Sequence, residues 1–126
     1  MFGSPKKPKD PTPYPVSTFS RPLATTEKSG RFAYVVDTDE IIHVMPDGLH
    51  VHPLILGLAQ EVLYAGDLVI EGAGTIAEIT NLSGTFQFRS QRSLCCVVQH
   101  LRQLGFLVKS VMWYCPRGRS IRQLNC

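Results

Sequence analysis

Two histidines in the segment His50-Val51-His52-Pro53 have side chains and a spacing that metal or ligand chemistry can use. Residues two apart on a β-strand lie on the same face, so both imidazoles would point the same way and could bind a metal. The sequence supplies no evident third ligand. Pro53 can instead open a helix, because its missing N–H falls at a position that has no intrahelical acceptor. His52 is therefore open to three interpretations: a structural or surface residue, a ligand-contacting residue or a metal ligand.

The other residues that bind metals do not form a recognisable set. The four cysteines, Cys95, Cys96, Cys115 and Cys126, contain no CxxC pair of the kind that zinc sites use. We interpret Cys95 or Cys96 as a small buried apolar residue. The acidic segment 37–40 lacks the glycine and the distal glutamate that an EF-hand loop needs. Since GxSxG and phosphate-binding glycine-loop motifs are also missing, the sequence predicts no metal site and no cofactor.

The first thirty residues differ in composition from the rest of the chain. They contain six of the nine prolines, together with Lys6, Lys7 and Lys9. Proline removes backbone hydrogen-bond donors, and lysine carries charge that resists burial. This composition predicts a disordered proline- and lysine-rich arm over residues 1–30.

The strand and turn patterns predict one small soluble domain over residues 31–116. Residues 32–36 and 41–45 form a first predicted hairpin, and residues 62–71 and 75–79 form a second. Gly66, inside the second hairpin, predicts a bulge or a close approach of two backbones. Residues 85–88 are expected to form an edge strand or an extended loop.

One convincing helix follows these hairpins. Ser90 is its predicted N-cap, Leu94, Val97, Val98, Leu101 and Leu104 recur at helical spacing, and Gly105 is its predicted end. Residues 106–114 then form a final strand. The fold class that follows is α+β, an antiparallel β-sheet packed by one main α-helix.

The net charge of +3 is concentrated near the two ends of the chain. Residues 117–126 form a predicted basic tail, which together with the arm could contact nucleic acid or an acidic protein surface. Solvated tails are the favoured interpretation, because no aromatic residues alternate with the basic ones near residue 126. No run reaches the roughly 18 apolar residues that span a bilayer. Because no signal-peptide pattern is present either, we expect a cytoplasmic protein without a membrane partner.

Two short segments carry a resemblance to a known module. Ala65-Gly66-Asp67, a hairpin turn and then Asn81-Leu82-Ser83-Gly84-Thr85-Phe86 resemble a pattern of Ala-Gly-Glu followed by Asn-x-Ser-Gly-His-Tyr-x-Pro. The module is similar to the C-terminal part of plant IQ-motif calmodulin-binding proteins and to terminal domains of some bacterial polymorphic toxin proteins. In both, a histidine-containing segment precedes the Ala-Gly element, as His52 does here, and a helix follows.

The resemblance covers about residues 32–112 and has clear departures. Asp67 stands in place of glutamate, Thr85-Phe86 in place of His-Tyr, and Phe88 at the usual proline. No IQ motif is visible, so calmodulin binding is not implied.

Two functions of different classes remain open at this point. The first is a small non-catalytic binding or protein-interaction domain for an undetermined protein or small-molecule ligand. The second is a small toxin-like transferase or hydrolase in which His52, Asp67 and Ser83 converge, with histidine as the base and the other two orienting the substrate. The resemblance implies five candidate ligand-binding residues, namely His52, Asp67, Ser83, Gly84 and Phe86.

Overall fold

A computed structural model describes residues 2–49, 51–115 and 120–126. Within these ranges, the element order is β1 (Arg21–Pro22), β2 (Gly30–Val36), β3 (Ile42–Pro46), α1 (His52–Leu56), β4 (Tyr64–Gly72), β5 (Thr75–Thr80), α2 (Gln91–Gln103), β6 (Leu107–Val108), β7 (Val111–Tyr114) and β8 (Ile121–Gln123). The strands form one sheet in the order β1-β3-β2-β4-β5-β7-β8, with β6 also paired to β5.

The first two-thirds of the sheet follow the predicted hairpins. β2 pairs with β3, and β4 with β5, in antiparallel register. β2 also pairs with β4 along its full length, with Ala33 opposite Asp67. Both faces of β2 are covered, because Phe32 through Val36 are all buried. These apolar, β-branched and aromatic residues are typical of a central strand.

The expected purely antiparallel sheet is wrong for the C-terminal strands. β6 and β7 both run parallel to β5, so the sheet is mixed, within an architecture that is compatible with α+β. The reason is the connection: α2 carries the chain back across the sheet, and a crossover helix returns the next strand in the parallel direction. The single strand predicted over residues 106–114 is also divided into β6 and β7 by residues 109–110.

Helix α2 supplies the layer that covers this sheet. Its predicted N-cap is confirmed, because the Ser90 hydroxyl oxygen accepts a hydrogen bond from the Ser93 N–H at 3.0 Å. Leu94, Val97, Val98 and Leu101 are fully buried, as their helical spacing predicts. The predicted stop at Gly105 is confirmed by its φ of 101°, a conformation that favours glycine. None of the described helices is long and apolar enough to cross a membrane.

The N-terminal arm lies along the domain in this structure, so disorder of residues 1–30 is not established and stays a prediction. Lys6 exchanges two backbone hydrogen bonds with Val62, and the Ser17 N–H donates to the Leu54 carbonyl. Gly57, with a φ of 71°, packs against the arm backbone: an added Cβ would lie 2.6 Å from the Val16 nitrogen. Further along, Arg21 and Pro22 join the sheet as β1.

The other end of the chain also reaches the sheet. Of the predicted basic tail, residues 117–119 lie outside the described part, whereas Ile121–Gln123 pair with β7 as β8. Cys95 and Cys126 form a disulfide, which connects α2 to the end of this segment. The interpretation of Cys95 or Cys96 as a small buried apolar residue is wrong, because both residues are only half-buried and the Cys95 sulfur is bonded to Cys126.

Candidate functional site

Three segments that are distant in sequence meet at a cleft of about 1100 Å³. His52 comes from the first turn of α1, Asp67 from β4, and Ser83 from the loop that follows β5. The antiparallel pairing of β4 with β5 carries the chain back from Asp67 towards Ser83, and α1 lies beside the same end of the sheet. His52, Asp67, Ser83 and Gly84 all line this cleft.

His52 is held by the backbone of the sheet. It is not on a strand, as its spacing from His50 suggested, but is the first residue of α1; His50 itself lies outside the described residues. Its Nε2 lies 2.8 Å from the Gly66 carbonyl oxygen. Because a carbonyl can only accept, Nε2 carries the proton, and the neutral ring keeps Nδ1 as an acceptor. Burial lowers the pKa of His52, so the ring is neutral around pH 7.

Asp67 is a largely buried carboxylate with little direct compensation. Only 16% of its side chain is exposed, and its Oδ1 lies 3.8 Å from His52 Nε2, beyond hydrogen-bond distance. Its backbone N–H donates to the Thr80 hydroxyl at 3.2 Å, which fixes the strand and not the carboxylate. Burial, reinforced by the nearby charge of Asp47 and opposed by that of Arg31, raises the pKa of Asp67 to about 6.

Gly66 is explained by the neighbouring strand and not by a ligand. A Cβ at this position would overlap the Thr80 carbonyl oxygen, so only glycine fits where β4 meets the end of β5. The Tyr34 hydroxyl donates to the same carbonyl at 2.7 Å from the buried side of the sheet. The close approach predicted for Gly66 is therefore a contact between two backbones, and it places the adjacent Asp67 at the cleft.

In the loop after β5, Ser83 and Gly84 line the cleft, whereas Phe86 does not. The Ser83 hydroxyl oxygen accepts the Phe86 N–H at 3.1 Å, which closes a local turn, and its own O–H is left to donate. Gly84 is exposed, and an added Cβ would meet no atom within 4 Å. Phe86 is 2% exposed and belongs to the hydrophobic core. Among the candidate residues, Phe86 is therefore the one that the structure does not bring to the cleft.

The Asn81 side chain anchors this loop through three hydrogen bonds to backbone groups. Its side-chain nitrogen donates to the carbonyl oxygens of Phe88 and Tyr114, at 2.8 and 2.9 Å, and its Oδ1 accepts the Tyr114 N–H at 2.8 Å. The two bonds to Tyr114 join the loop to β7, and the bond to Phe88 closes the loop on itself. Asn81 in the resembling Asn-x-Ser-Gly segment thus has a structural role here, which keeps Ser83 in place.

Several residues at the cleft were not among the sequence candidates. Asp47, from the turn after β3, contributes a second carboxylate, and the arm contributes Lys9, Asp10 and Tyr14. The Tyr14 hydroxyl donates to Asp10 at 2.7 Å, so these two form a fixed part of the wall. No local signal marks the arm residues, because their position depends on backbone hydrogen bonds to distant segments. Asp47 lies in a Pro-Asp-Gly turn, where an aspartate is ordinarily explained by the turn itself.

The set of side chains at the cleft is suited to hydrogen bonding and proton transfer. In the described part of the chain, no three His, Cys, Asp or Glu side chains are grouped closely enough to hold a metal ion. The cleft instead combines a neutral imidazole, a carboxyl group whose pKa is about 6, and a hydroxyl group.

The chain matches no protein-family model, and no curated protein or solved structure is significantly similar to it. The case for a function therefore rests on the chemistry of this cleft.

Proposed function

We propose that this chain is a small non-catalytic binding or protein-interaction domain, and that its cleft binds a cationic, hydrogen-bond-donating group such as an amine. One observation carries the proposal. Asp67 is a carboxylate at the cleft with only 16% of its side chain exposed, and no described side chain donates a hydrogen bond to it. Buried carboxylates are ordinarily paired, so this one is suited to a partner from outside the chain.

The charges that act on Asp67 favour a cation over an anion. Burial is the main cause of its raised pKa, and the negative charge of Asp47, which also lines the cleft, raises the pKa further. Lys9 lines the cleft as well, but its ammonium group donates to the side-chain oxygen of Gln87. His52 is neutral near pH 7 and adds no opposing charge. A bound ammonium group would relieve the repulsion between the two carboxylates and would supply the missing hydrogen-bond donor. Ser83 adds a hydroxyl group for a polar neighbour of that cation.

The binding experiment is a titration with ethanolamine and arginine amide, monitored by amide NMR shifts at constant ionic strength. We expect saturable shifts at residues 66–68 and 82–84, and weaker binding in Asp67→Asn and Ser83→Ala. Affinity should increase from pH 5 to pH 7.5, because the Asp67 carboxyl group ionises with a pKa of about 6. The control is Asp39→Asn, which removes an exposed carboxylate in the β2–β3 turn, away from this cleft. Equal weakening by Asp39→Asn would reduce the effect to general charge and would contradict the proposal.

A second candidate function is a small toxin-like transferase or hydrolase. The observation that favours it is the proximity of His52 and Asp67, two groups whose pKa values are shifted towards each other, one downwards and the other upwards to about 6. Such groups exchange protons readily near neutral pH. In this reading His52 Nδ1 is the base, Asp67 is an orienting or acid group, and Ser83 bonds the substrate.

The two candidates are distinguished by turnover and by His52. An enzyme should impair the growth of a bacterial host that expresses it, and His52→Gln, which retains an N–H donor for Gly66, should abolish that effect. A binding domain should show no effect on growth in either form and should bind amines in both. Loss of folding in His52→Gln, seen in a thermal melt, would assign His52 a structural role instead.

A further inference from the structure

A second groove, of about 610 Å³, shares Lys9 and Thr85 with the cleft but is otherwise lined by different residues. Its basic lining residues are Lys6, Lys7 and Lys9 from the arm and Arg89 from the segment that precedes α2. No acidic side chain is among its described lining residues. Four positive charges around one concave surface, without a carboxylate between them, favour an anionic ligand.

The backbone positions of these charges are fixed by hydrogen bonds. Lys6 pairs with Val62 through two backbone hydrogen bonds of 2.8 and 2.9 Å, and the Lys9 N–H donates to the Thr85 carbonyl at 3.0 Å. The Lys6 and Lys9 ammonium groups each lie 2.7 Å from an oxygen of Gln87. The lysines are thus arranged along one wall, and Lys7 lies between the two anchored residues.

The start of helix α2 adds fixed hydrogen-bond donors to the same groove. Ser90 and Ser93 line it, and the first N–H groups of a 13-residue helix carry a partial positive charge. Ser93 lines the groove one turn into the helix, so its hydroxyl group is placed to contact a ligand held there. It would add one hydrogen bond to the attraction of the four basic side chains.

The aromatic residue of the groove argues against a nucleic acid as the ligand. Phe88 is 6% exposed and stacks on Tyr64 with ring centroids 4.9 Å apart, while Lys6 lies over the ring at 5.1 Å. Its faces are therefore occupied, so it cannot stack a base, which is the contact that single-strand binders use. The groove offers charge and hydrogen-bond donors for a compact anion.

We propose that this groove is a phosphate-binding site, formed by Lys6, Lys7, Lys9 and Arg89 together with the start of α2. Its ligand class is a small phosphate monoester or free phosphate. Because three of the four basic residues come from the arm, the bound phosphate also bridges residues 6–9 to the helix. Lys6, Lys7 and Arg89 line this groove and not the cleft, so their variants test the phosphate site apart from the cation-binding role proposed for the cleft.

The test is an amide NMR titration of the full chain with inorganic phosphate and, separately, with phosphoserine, against chloride at the same ionic strength. We expect saturable shifts at residues 7–9 and 89–93. Arg89→Ala and Lys7→Ala should each raise Kd about tenfold, the scale of one charge-assisted contact. Ser93→Ala should weaken binding without a change of charge. Lys28→Ala, which removes an exposed lysine outside the groove, should leave Kd unchanged.

Each result has a definite meaning. Tighter binding of phosphoserine than of inorganic phosphate identifies a phosphate monoester as the ligand, and the reverse identifies free phosphate; both support the site. Shifts that grow linearly with concentration, or an equal loss in Lys28→Ala, would overturn it as nonspecific screening. Tight binding of a uridine oligonucleotide with a steep salt dependence, and no response to phosphate, would overturn it in favour of nucleic acid.

Discussion

The Cα of Gly66 packs directly against the carbonyl group of Thr80, so any Cβ at residue 66 would overlap the carbonyl oxygen. This contact joins β4 to the end of β5 at the point where the chain turns into the Ser83 loop. The same Gly66 offers its own carbonyl oxygen to His52. One glycine therefore sets the spacing of the segments from which His52, Asp67 and Ser83 reach the cleft.

Gly66→Ala is expected to destabilise the fold by about 2–3 kcal/mol, because the new methyl group forces two backbones apart. Gly84→Ala is the matched control, since the space around Gly84 is open, and its effect should lie within about 0.5 kcal/mol. Urea unfolding of the two variants measures both values. Similar stability of the two proteins would mean that β4 and β5 can separate at this point without cost.

Asp67→Asn is expected to stabilise the protein at neutral pH. Burial raises the pKa of Asp67 to about 6 in the folded chain, so ionisation opposes folding. The stability associated with the protonated carboxyl group is complete below pH 4 and is lost as the pH rises through 6. Since two pKa units correspond to about 3 kcal/mol, the variant should gain about 2–3 kcal/mol at pH 7.5 and almost nothing at pH 3.5.

The measurement for Asp67 is urea unfolding at both pH values. Asp39→Asn is the control, and its free energy of unfolding relative to the unsubstituted protein should be the same at both pH values. Destabilisation of Asp67→Asn at pH 7.5 would indicate that the carboxylate makes a stabilising contact within the folded chain. A gain in stability would instead show that Asp67 is retained at a thermodynamic cost, as functional residues often are.

The phase of helix α2 can be tested with two neighbouring positions. Leu101 is fully buried, so Leu101→Ala should cost about 2–5 kcal/mol by creating a cavity. Gln99 is exposed, and Gln99→Ala should change stability by less than about 0.5 kcal/mol. Thermal melts of both variants provide the comparison, and equal effects would contradict the buried face of α2.

Removal of residues 1–20 tests whether the arm is disordered or packed. Its composition predicts almost no change in melting temperature, whereas its contacts with Val62, Leu54 and Gly57 predict a fall of more than about 5 °C, roughly 1 kcal/mol for a chain of this size. Gly57→Ala should reproduce part of the fall, because it displaces the arm backbone at Val16. Rapid tryptic cleavage after Lys6 and Lys9 in the intact chain would favour disorder.

The cysteines test the expected cytoplasmic location. With Cys95 and Cys126 joined, two thiols, Cys96 and Cys115, should react with maleimide in the unfolded chain, and four should react after reduction. A disulfide across 31 residues should contribute about 3–4 kcal/mol. Such bonds rarely persist in the cytosol, so protein taken from that compartment without oxidation should have four reactive thiols. Two thiols in freshly isolated protein would indicate an oxidising compartment.

Local sequence patterns predicted the positions of the helices and strands better than they predicted which strands pair in the sheet. The first hairpin and the capped helix were evident because Phe32–Val36 and Ser90–Leu101 carry their own periodicity and end signals. The parallel pairing of β7 with β5 was not evident, because alternation indicates a strand without naming its neighbour. Because α2 lies between β5 and β7 in the sequence, β7 runs parallel to β5. The pattern within either strand does not contain this information.

The sequence also identified only some of the residues that line the cleft, because the positions of the others depend on contacts between distant segments. His52, Asp67 and Ser83 were linked by the resemblance, and all three line one cleft. Phe86 does not line the cleft, because its ring is buried in the hydrophobic core, where an aromatic side chain is more stable. Lys9 and Tyr14 could not be predicted, since their places depend on the hydrogen bonds of a proline-rich segment to Thr85 and Leu58.

The parallel pairing of β5 with β7 has a consequence for the order in which this chain folds. Short turns join β2 to β3 and β4 to β5, and these two hairpins pair through β2 and β4 across residues 47–63. By contrast, β7 reaches β5 only after residues 81–110 have formed α2 and docked it. Closing that long segment is entropically costly before its contacts form. We therefore expect the four central strands to gain protection from hydrogen exchange first and β7 last. The Ser83 loop, which lies at the start of residues 81–110, should then become ordered only in that late step.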